Sequence, residues 1–261
     1  MGNLKKQGRL LVGDNIELKK DDFSSNYVIT KVFPRFNEIT RPKVTNIDQL
    51  LIVISAVPKP DLYLVDKLII NAIINNISPV LVINKIDLLS KEQIDKYVKV
   101  YENVVDEIVL ASAFEGNVQA LKEVLKNKTS VFAGQSAVGK SSLINCVAPT
   151  LNQATNILSK KVERGKHTTR ECTIFVLENN IMIADTPGFS MLELNLKHVE
   201  LKNYYPEFEN SKCKFANCTH TTEIGCNVKS LVENGEIDKD RYDRYVEIYN
   251  QLKQKWEREY D

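Results

Sequence analysis

A chain of 261 residues, 43% hydrophobic and 26% charged, has material for one large domain or two to three small ones and excludes global disorder. The formal net charge of +1 gives no ground for a polyanion partner held by bulk charge, yet residues 1–45 carry nine Lys/Arg against five Asp/Glu, net +4, which suits a module facing nucleic acid. The longest apolar run, Leu50–Val57, falls far short of the roughly 20 residues that span a bilayer. The N-terminal lysines have no apolar stretch behind them, and Lys6 stands where a myristoylation motif needs Ser or Thr, so a cytoplasmic protein with no membrane partner is expected.

The first 45 residues read as short strands, Leu10–Val12, Asn15–Leu18 and Tyr27–Phe33, with Gly, Asp and Pro between them. They are too few for a five-stranded barrel, so residues 1–45 are expected to form a partial, N-terminally incomplete OB-like β module. From residue 46 strand and helix signals alternate. Leu50–Val57 has the length and apolarity of a buried parallel strand. Asp61 stands where it caps a helix whose Leu62, Val65, Leu68, Ile69, Ala72 and Ile73 recur at helical spacing. Val80–Asn84, Glu107–Ser112 and Ser130–Gly134 read as further strands, with helices over Lys91–Tyr101 and Val118–Leu125 between them. Strands separated by helices of this length imply right-handed crossovers and a parallel sheet covered on both faces, an α/β domain over residues 46–195. Residues 150–170 lack periodicity and read as a long mobile loop. Glu171–Leu177 and Ile181–Asp185 read as a hairpin. Residues 196–261 read as a small helical domain around a Cys/His cluster, ending in an amphipathic helix, Asp240–Glu259, with Tyr242, Tyr245, Tyr249, Leu252 and Trp256 on one face.

Three motifs carry chemistry in the central part. Gly134-Gln135-Ser136-Ala137-Val138-Gly139-Lys140-Ser141, followed by Ser142, matches the G-x-x-x-x-G-K-[ST] phosphate loop. Its backbone N–H groups and the helix start behind it suit phosphate, Lys140 would reach the β and γ phosphates, and Ser141 would ligate magnesium. Asn84-Lys85-Ile86-Asp87 ends one strand and Ser112-Ala113 ends the next. A carboxylate at Asp87 accepts from the N1 and N2 donors of guanine, which adenine lacks, and leaving it unpaired costs about 1–3 kcal/mol. Asp185-Thr186-Pro187-Gly188 follows a third strand, with Asp185 facing magnesium through water and the Gly188 N–H facing the γ-phosphate. The base-reading motifs precede the phosphate loop, whereas in Ras-like enzymes they follow it, so the chain looks like a circularly permuted P-loop GTPase with GTP/GDP and Mg²⁺ as cofactors.

The loop ahead of Asp185 contributes Thr168 and Thr169, of which Thr169 is the expected magnesium ligand of the triphosphate state. Phe189 occupies the place where Ras-type enzymes carry the Gln that orients water, so unaided hydrolysis is expected to be slow. His167 is the nearest group able to position the nucleophile, and as a residue type it is equally at home as an exposed loop histidine. Lys160, Lys161, Arg164, Lys166 and Arg170 read either as a phosphodiester contact or as a solvated switch loop. In the C-terminal part Cys213-x4-Cys218-x-His220-x5-Cys226 offers three thiolates and one imidazole, the donor set of one closed structural Zn²⁺. Of the five cysteines only Cys146 and Cys172 remain, both in expected core elements.

The permuted motif order, Gly165-Lys166-His167-Thr168-Thr169, Asp185-Thr186-Pro187-Gly188-Phe189 and the C-terminal cysteine spacing together resemble the ribosome small subunit-dependent GTPase A family, of RsgA/YjeQ type. The likeness includes Arg41-Pro42-Lys43-Val44-Thr45-Asn46-Ile47-Asp48-Gln49 before the first buried strand. It implies an N-terminal OB fold, a permuted GTPase domain and a C-terminal zinc domain, acting on the 30S subunit and its 16S rRNA late in assembly. It also implies hydrolysis stimulated by the ribosome, with a part for His167. The protein is expected to be a monomer. Two other readings are a zinc-stapled rRNA-binding module with a mainly structural nucleotide site, and a P-loop ATPase or kinase.

Overall fold

The computed structural model describes residues 9–21, 25–40, 43–149, 172–185, 194–209 and 211–260. Its centre is a six-stranded sheet. In chain order β5 (Gln49–Ser55), β6 (Ser78–Asn84), β7 (Glu107–Leu110) and β8 (Thr129–Ala133) run parallel, and β9 (Thr173–Val176) pairs antiparallel with β10 (Met182–Asp185), giving the spatial order β7-β6-β5-β8-β10-β9. β5 lies in the middle and all seven of its residues are buried.

Alternation along the strands builds two cores. Leu50, Ile52, Ile54, Leu81 and Ile83 face one side, against Val65, Leu68, Ile69 and Ala72 of helix α1 (Leu62–Ile74) and against Tyr101, the last residue of α2 (Lys91–Tyr101). Leu51, Val53, Val80 and Val82 face the other, against Leu121, Val124 and Leu125 of α3 (Gln119–Leu125) and Leu143 of α4 (Lys140–Val147). Asp61 caps α1, its carboxylate accepting from the Leu64 N–H at 2.9 Å. Ser90 and Gln93 form a capping box at α2.

The N-terminal segment forms two separate hairpins. β1 (Ile16–Lys20) pairs with β2 (Tyr27–Val32), and β3 (Glu38–Thr40) with β4 (Lys43–Thr45). Leu10–Val12, expected as a strand, makes a single bridge, Val12 to Val44. Among the described residues the module is therefore open, with no closed barrel. Ile39 and Val44 belong to the core on the α1 side of the sheet.

In the C-terminal part, 3₁₀ turns over His198–Tyr204 and Pro206–Phe208 precede α5 (Asn227–Glu233) and the long α6 (Lys239–Tyr260). A third core gathers Leu201, Tyr205, Phe208, Val228, Tyr245, Ile248 and Leu252 around Ile70 of α1. Below it, Asp66 of α1 is fully buried and accepts from Arg241 Nη1 at 2.6 Å, Arg244 Nε at 2.5 Å and the Tyr101 hydroxyl at 3.0 Å. Arg241 also pairs with Glu207 and lies over the Tyr205 ring, 4.6 Å from its centroid. No helix of the described residues is long and apolar enough to cross a membrane.

Candidate functional site

Parallel register decides where the motifs meet. Ser55 is level with Asn84 across β5 and β6, Ile52 is level with Ala133 across β5 and β8, and Ala184 of β10 is level with Val131 of β8. Asn84, Gly134, Ser112 and the backbone of Asp185 thus leave the same carboxyl edge of one sheet, the edge at which open α/β sheets bind ligands. Their order along the chain does not matter to this geometry.

The phosphate loop hugs that edge. Gly134 has φ +129°, and a Cβ there would lie 2.3 Å from the Val53 carbonyl oxygen. Gly139, with φ +97°, precedes α4, and a Cβ there would lie 2.3 Å from Asn84 Nδ2. Only glycine lets the chain pass this close to its neighbours. Asn84 is the knot of the site: buried, it donates from Nδ2 to the Val138 carbonyl at 2.8 Å and accepts at Oδ1 from the Ala113 N–H at 3.3 Å. Lys85, in the left-handed region at φ +58°, sends Nζ to the carbonyls of Ala137 at 2.9 Å and Val57 at 2.5 Å. The Ser112 hydroxyl donates to Asp87 Oδ1 at 2.5 Å.

Lys140 Nζ donates to the carbonyls of Gly134 and Gln135, each at 2.7 Å, which holds the ammonium inside the loop; burial lowers its pKa. The Gln135 side chain accepts from the Asp61 N–H at 3.2 Å, tying the loop to the cap of α1. Ser136 and Ala137 are exposed at the loop's tip, and Ser141 and Ser142 are exposed on the first turn of α4. The structure therefore brings together Asn84, Lys85, Asp87, Ser112, Ala113 and the whole of 134–142. His167, Thr169, Gly188 and Phe189 lie outside the described residues.

The four expected zinc donors also converge. Cys213 Sγ lies 3.9 Å from Cys226 Sγ, His220 Nδ1 lies 3.4 Å from each of those sulfurs, and all four donor atoms are within 4.8 Å of one another. Tetrahedral zinc, with sulfur at about 2.3 Å and nitrogen at about 2.0 Å, sets edges of about 3.8 Å between sulfurs and about 3.5 Å from sulfur to nitrogen. The donor set fits that ion. Burial lowers the pKa of His220, which favours the neutral ligand form, and pushes the Cys218 thiol up to about 12.

Sequence reasoning missed the residues that hold this loop. The Tyr242 hydroxyl donates to the His220 carbonyl at 2.8 Å and the Tyr245 hydroxyl to the Thr219 carbonyl at 2.5 Å, while Lys202 Nζ donates to the Cys218 carbonyl at 2.9 Å. The Glu223 carboxylate accepts from the Thr219 N–H and hydroxyl, both at 2.6 Å, and from the Thr221 N–H at 3.0 Å. Burial opposes its charge, but these donors overcome it and bring the pKa down to about 2. The tyrosines were visible as an apolar stripe on α6; their hydroxyl partners were not.

The profile of the RsgA GTPase family matches residues 32–195. The chain belongs to this family. It is 40% identical over 255 residues to the small ribosomal subunit biogenesis GTPase RsgA of Caldanaerobacter subterraneus subsp. tengcongensis, covering 96% of this chain and 86% of that one. Identity to the protein of the same name from Alkaliphilus metalliredigens is 39% over 255 residues, covering 95% and 87%. Among solved structures, YjeQ from Thermotoga maritima superposes with a TM-score of 0.83 at 36% identity, covering 97% of this chain and 88% of that one. YloQ, described as a circularly permuted GTPase, gives 0.79 at 32% identity, covering 97% and 84%. The fold is accordingly a circularly permuted GTPase domain with a C-terminal cysteine cluster placed to hold metal.

Proposed function

We propose that this GTPase hydrolyses GTP to GDP and phosphate in maturation of the small ribosomal subunit, stimulated by the 30S particle and contacting its 16S rRNA as a cytoplasmic monomer. The observation that carries the nucleotide chemistry is Asn84, which joins the phosphate loop at Val138 to the base-reading loop at Ala113, next to the Ser112–Asp87 pair, while relatives named small ribosomal subunit biogenesis GTPase support the ribosomal role. Asp87 reads the guanine edge. The backbone of Gly134–Gly139, the ammonium of Lys140 and the start of α4 receive the phosphates. Ser141, Asp185 and Thr169 would hold Mg²⁺, which supplies charge neutralisation at the transferring phosphoryl group. His167 positions the attacking water, a task that Phe189 cannot perform. Cys213, Cys218, His220 and Cys226 would hold one structural Zn²⁺.

The test is GTP turnover with and without purified 30S and 50S subunits, on protein assayed for zinc. Slow turnover that rises by orders of magnitude with 30S alone supports the reading; turnover indifferent to 30S overturns the partner. His167→Ala should keep nucleotide binding and lose the stimulated rate, and full stimulated activity in that variant removes His167 from the mechanism.

A further inference from the structure

Ser112 and Asn117 pin a short loop at both ends, each backbone N–H donating to the other's carbonyl, at 3.0 and 2.9 Å. Inside it the Ala113 N–H is engaged by Asn84, the Ala113 carbonyl accepts from the Cys146 thiol at 3.4 Å, and the Glu115 N–H donates to the Ser112 hydroxyl at 3.2 Å. The backbone is thus fixed against the base-reading carboxylate through Ser112. Within this loop stands Phe114, 90% exposed, and Leu88, next to Asp87 in the chain, is 59% exposed. A pinned loop that carries a bare aromatic ring two residues after Ser112, the serine bonded to the edge-reading Asp87, is suited to the purine's face, which is flat, apolar and π-rich.

We propose that Phe114 covers one face of the nucleotide base and contributes binding affinity without base selectivity; this rests on the guanine-nucleotide reading of the pocket. Division of labour follows from the chemistry. Stacking is tolerant because every base has a π face, whereas Asp87 discriminates by hydrogen bonds to the edge. Loss of the ring should therefore weaken guanosine and inosine diphosphates by the same factor and leave a base-free phosphate ligand untouched.

The test is calorimetric titration of the full chain with GDP, IDP, ADP and inorganic pyrophosphate, comparing wild type with Phe114→Ala and Phe114→Tyr. The expected result is a Kd for GDP and IDP raised about tenfold or more in Phe114→Ala, near wild type in Phe114→Tyr, with pyrophosphate binding unchanged in both. GDP binding by Phe114→Ala within about twofold of wild type overturns the proposal; so does normal GDP binding with loss of 30S-stimulated turnover, which would assign the ring to the subunit. A parallel loss of pyrophosphate binding also overturns it, since that reports a damaged phosphate loop. Wild-type protein that binds ADP as well as GDP refutes the guanine reading itself, a separate result from the behaviour of the variants.

Discussion

Two small modules flank the same sheet, and they are attached by different kinds of contact. The C-terminal module shares a core with α1 through Ile70, buries Asp66 between Arg241 and Arg244, and has a donor set for zinc. At the N-terminal side every residue of β1 is exposed. The segment meets the sheet domain through buried Ile39 and Val44 and through Asn37, which donates to the Ile47 carbonyl at 2.7 Å. Asp14 ties the segment to itself, accepting from Arg35 Nε at 2.6 Å, the Leu11 N–H at 2.8 Å and the Thr45 hydroxyl at 3.3 Å. Buried, hydrogen-bonded charges have few alternative arrangements, so they fix orientation more firmly than they add stability. One flank is anchored by a charged network and an aromatic core, the other by two apolar side chains and one asparagine, with its first hairpin left exposed.

Metal removal tests that contrast most severely. Chelation should abolish hydrogen-exchange protection over residues 213–226 and α5 while leaving β5 and β6 protected, because structural zinc contributes on the order of 10 kcal/mol to modules of this size. Full protection in zinc-free protein would show that the aromatic core alone suffices. Asp66→Ala comes next. It takes from Arg244 its carboxylate partner, leaves Arg241 with Glu207 alone, and should lower stability by about 3–5 kcal/mol in urea unfolding, with α6 losing exchange protection first. A loss under about 1 kcal/mol would mean the network is solvated and the orientation is set by apolar packing instead.

The smallest effect is expected at Asp14. Its hydrogen bonds with Arg35 hold its carboxyl below the usual range, so what it contributes is complete above the unfolded pKa of about 3.9 and is lost as pH falls through the lower folded value. The Leu11 amide resonance should follow this titration in the acid range, and Asp14→Asn should remove the dependence. A Leu11 amide that ignores pH down to the point of global unfolding would show that this turn is held by contacts other than Asp14.

The parts of the molecule legible in sequence are those built from local pattern. Leu50–Val57 announces β5, Asp61 announces the cap of α1, and the phosphate loop announces α4, since each signal needs only its neighbours. The β3–β4 hairpin escaped notice because its strands are three residues long and carry polar Glu38 and Lys43, too short for alternation to register. Asp66 escaped for a different reason. Among Leu62, Val65, Leu68 and Ile69 it reads as a polar interruption, and the arginines that justify it lie 175 and 178 positions away. The base-site motifs were readable as chemistry, whereas the tie from Asn84 to Val138 belongs to the three-dimensional arrangement.

The position of β5 has a consequence for the birth of the chain. β5 is both the first strand of the sheet to leave the translation machinery and the strand at its centre. β6 then adds beside β5, β7 beside β6, β8 on the free side of β5, and the β9–β10 hairpin beside β8, so each newcomer finds an edge already formed. No strand has to be threaded between two that are already paired. Chain order is thus compatible with outward growth of the sheet from β5, the β9–β10 hairpin joining as one unit through β10.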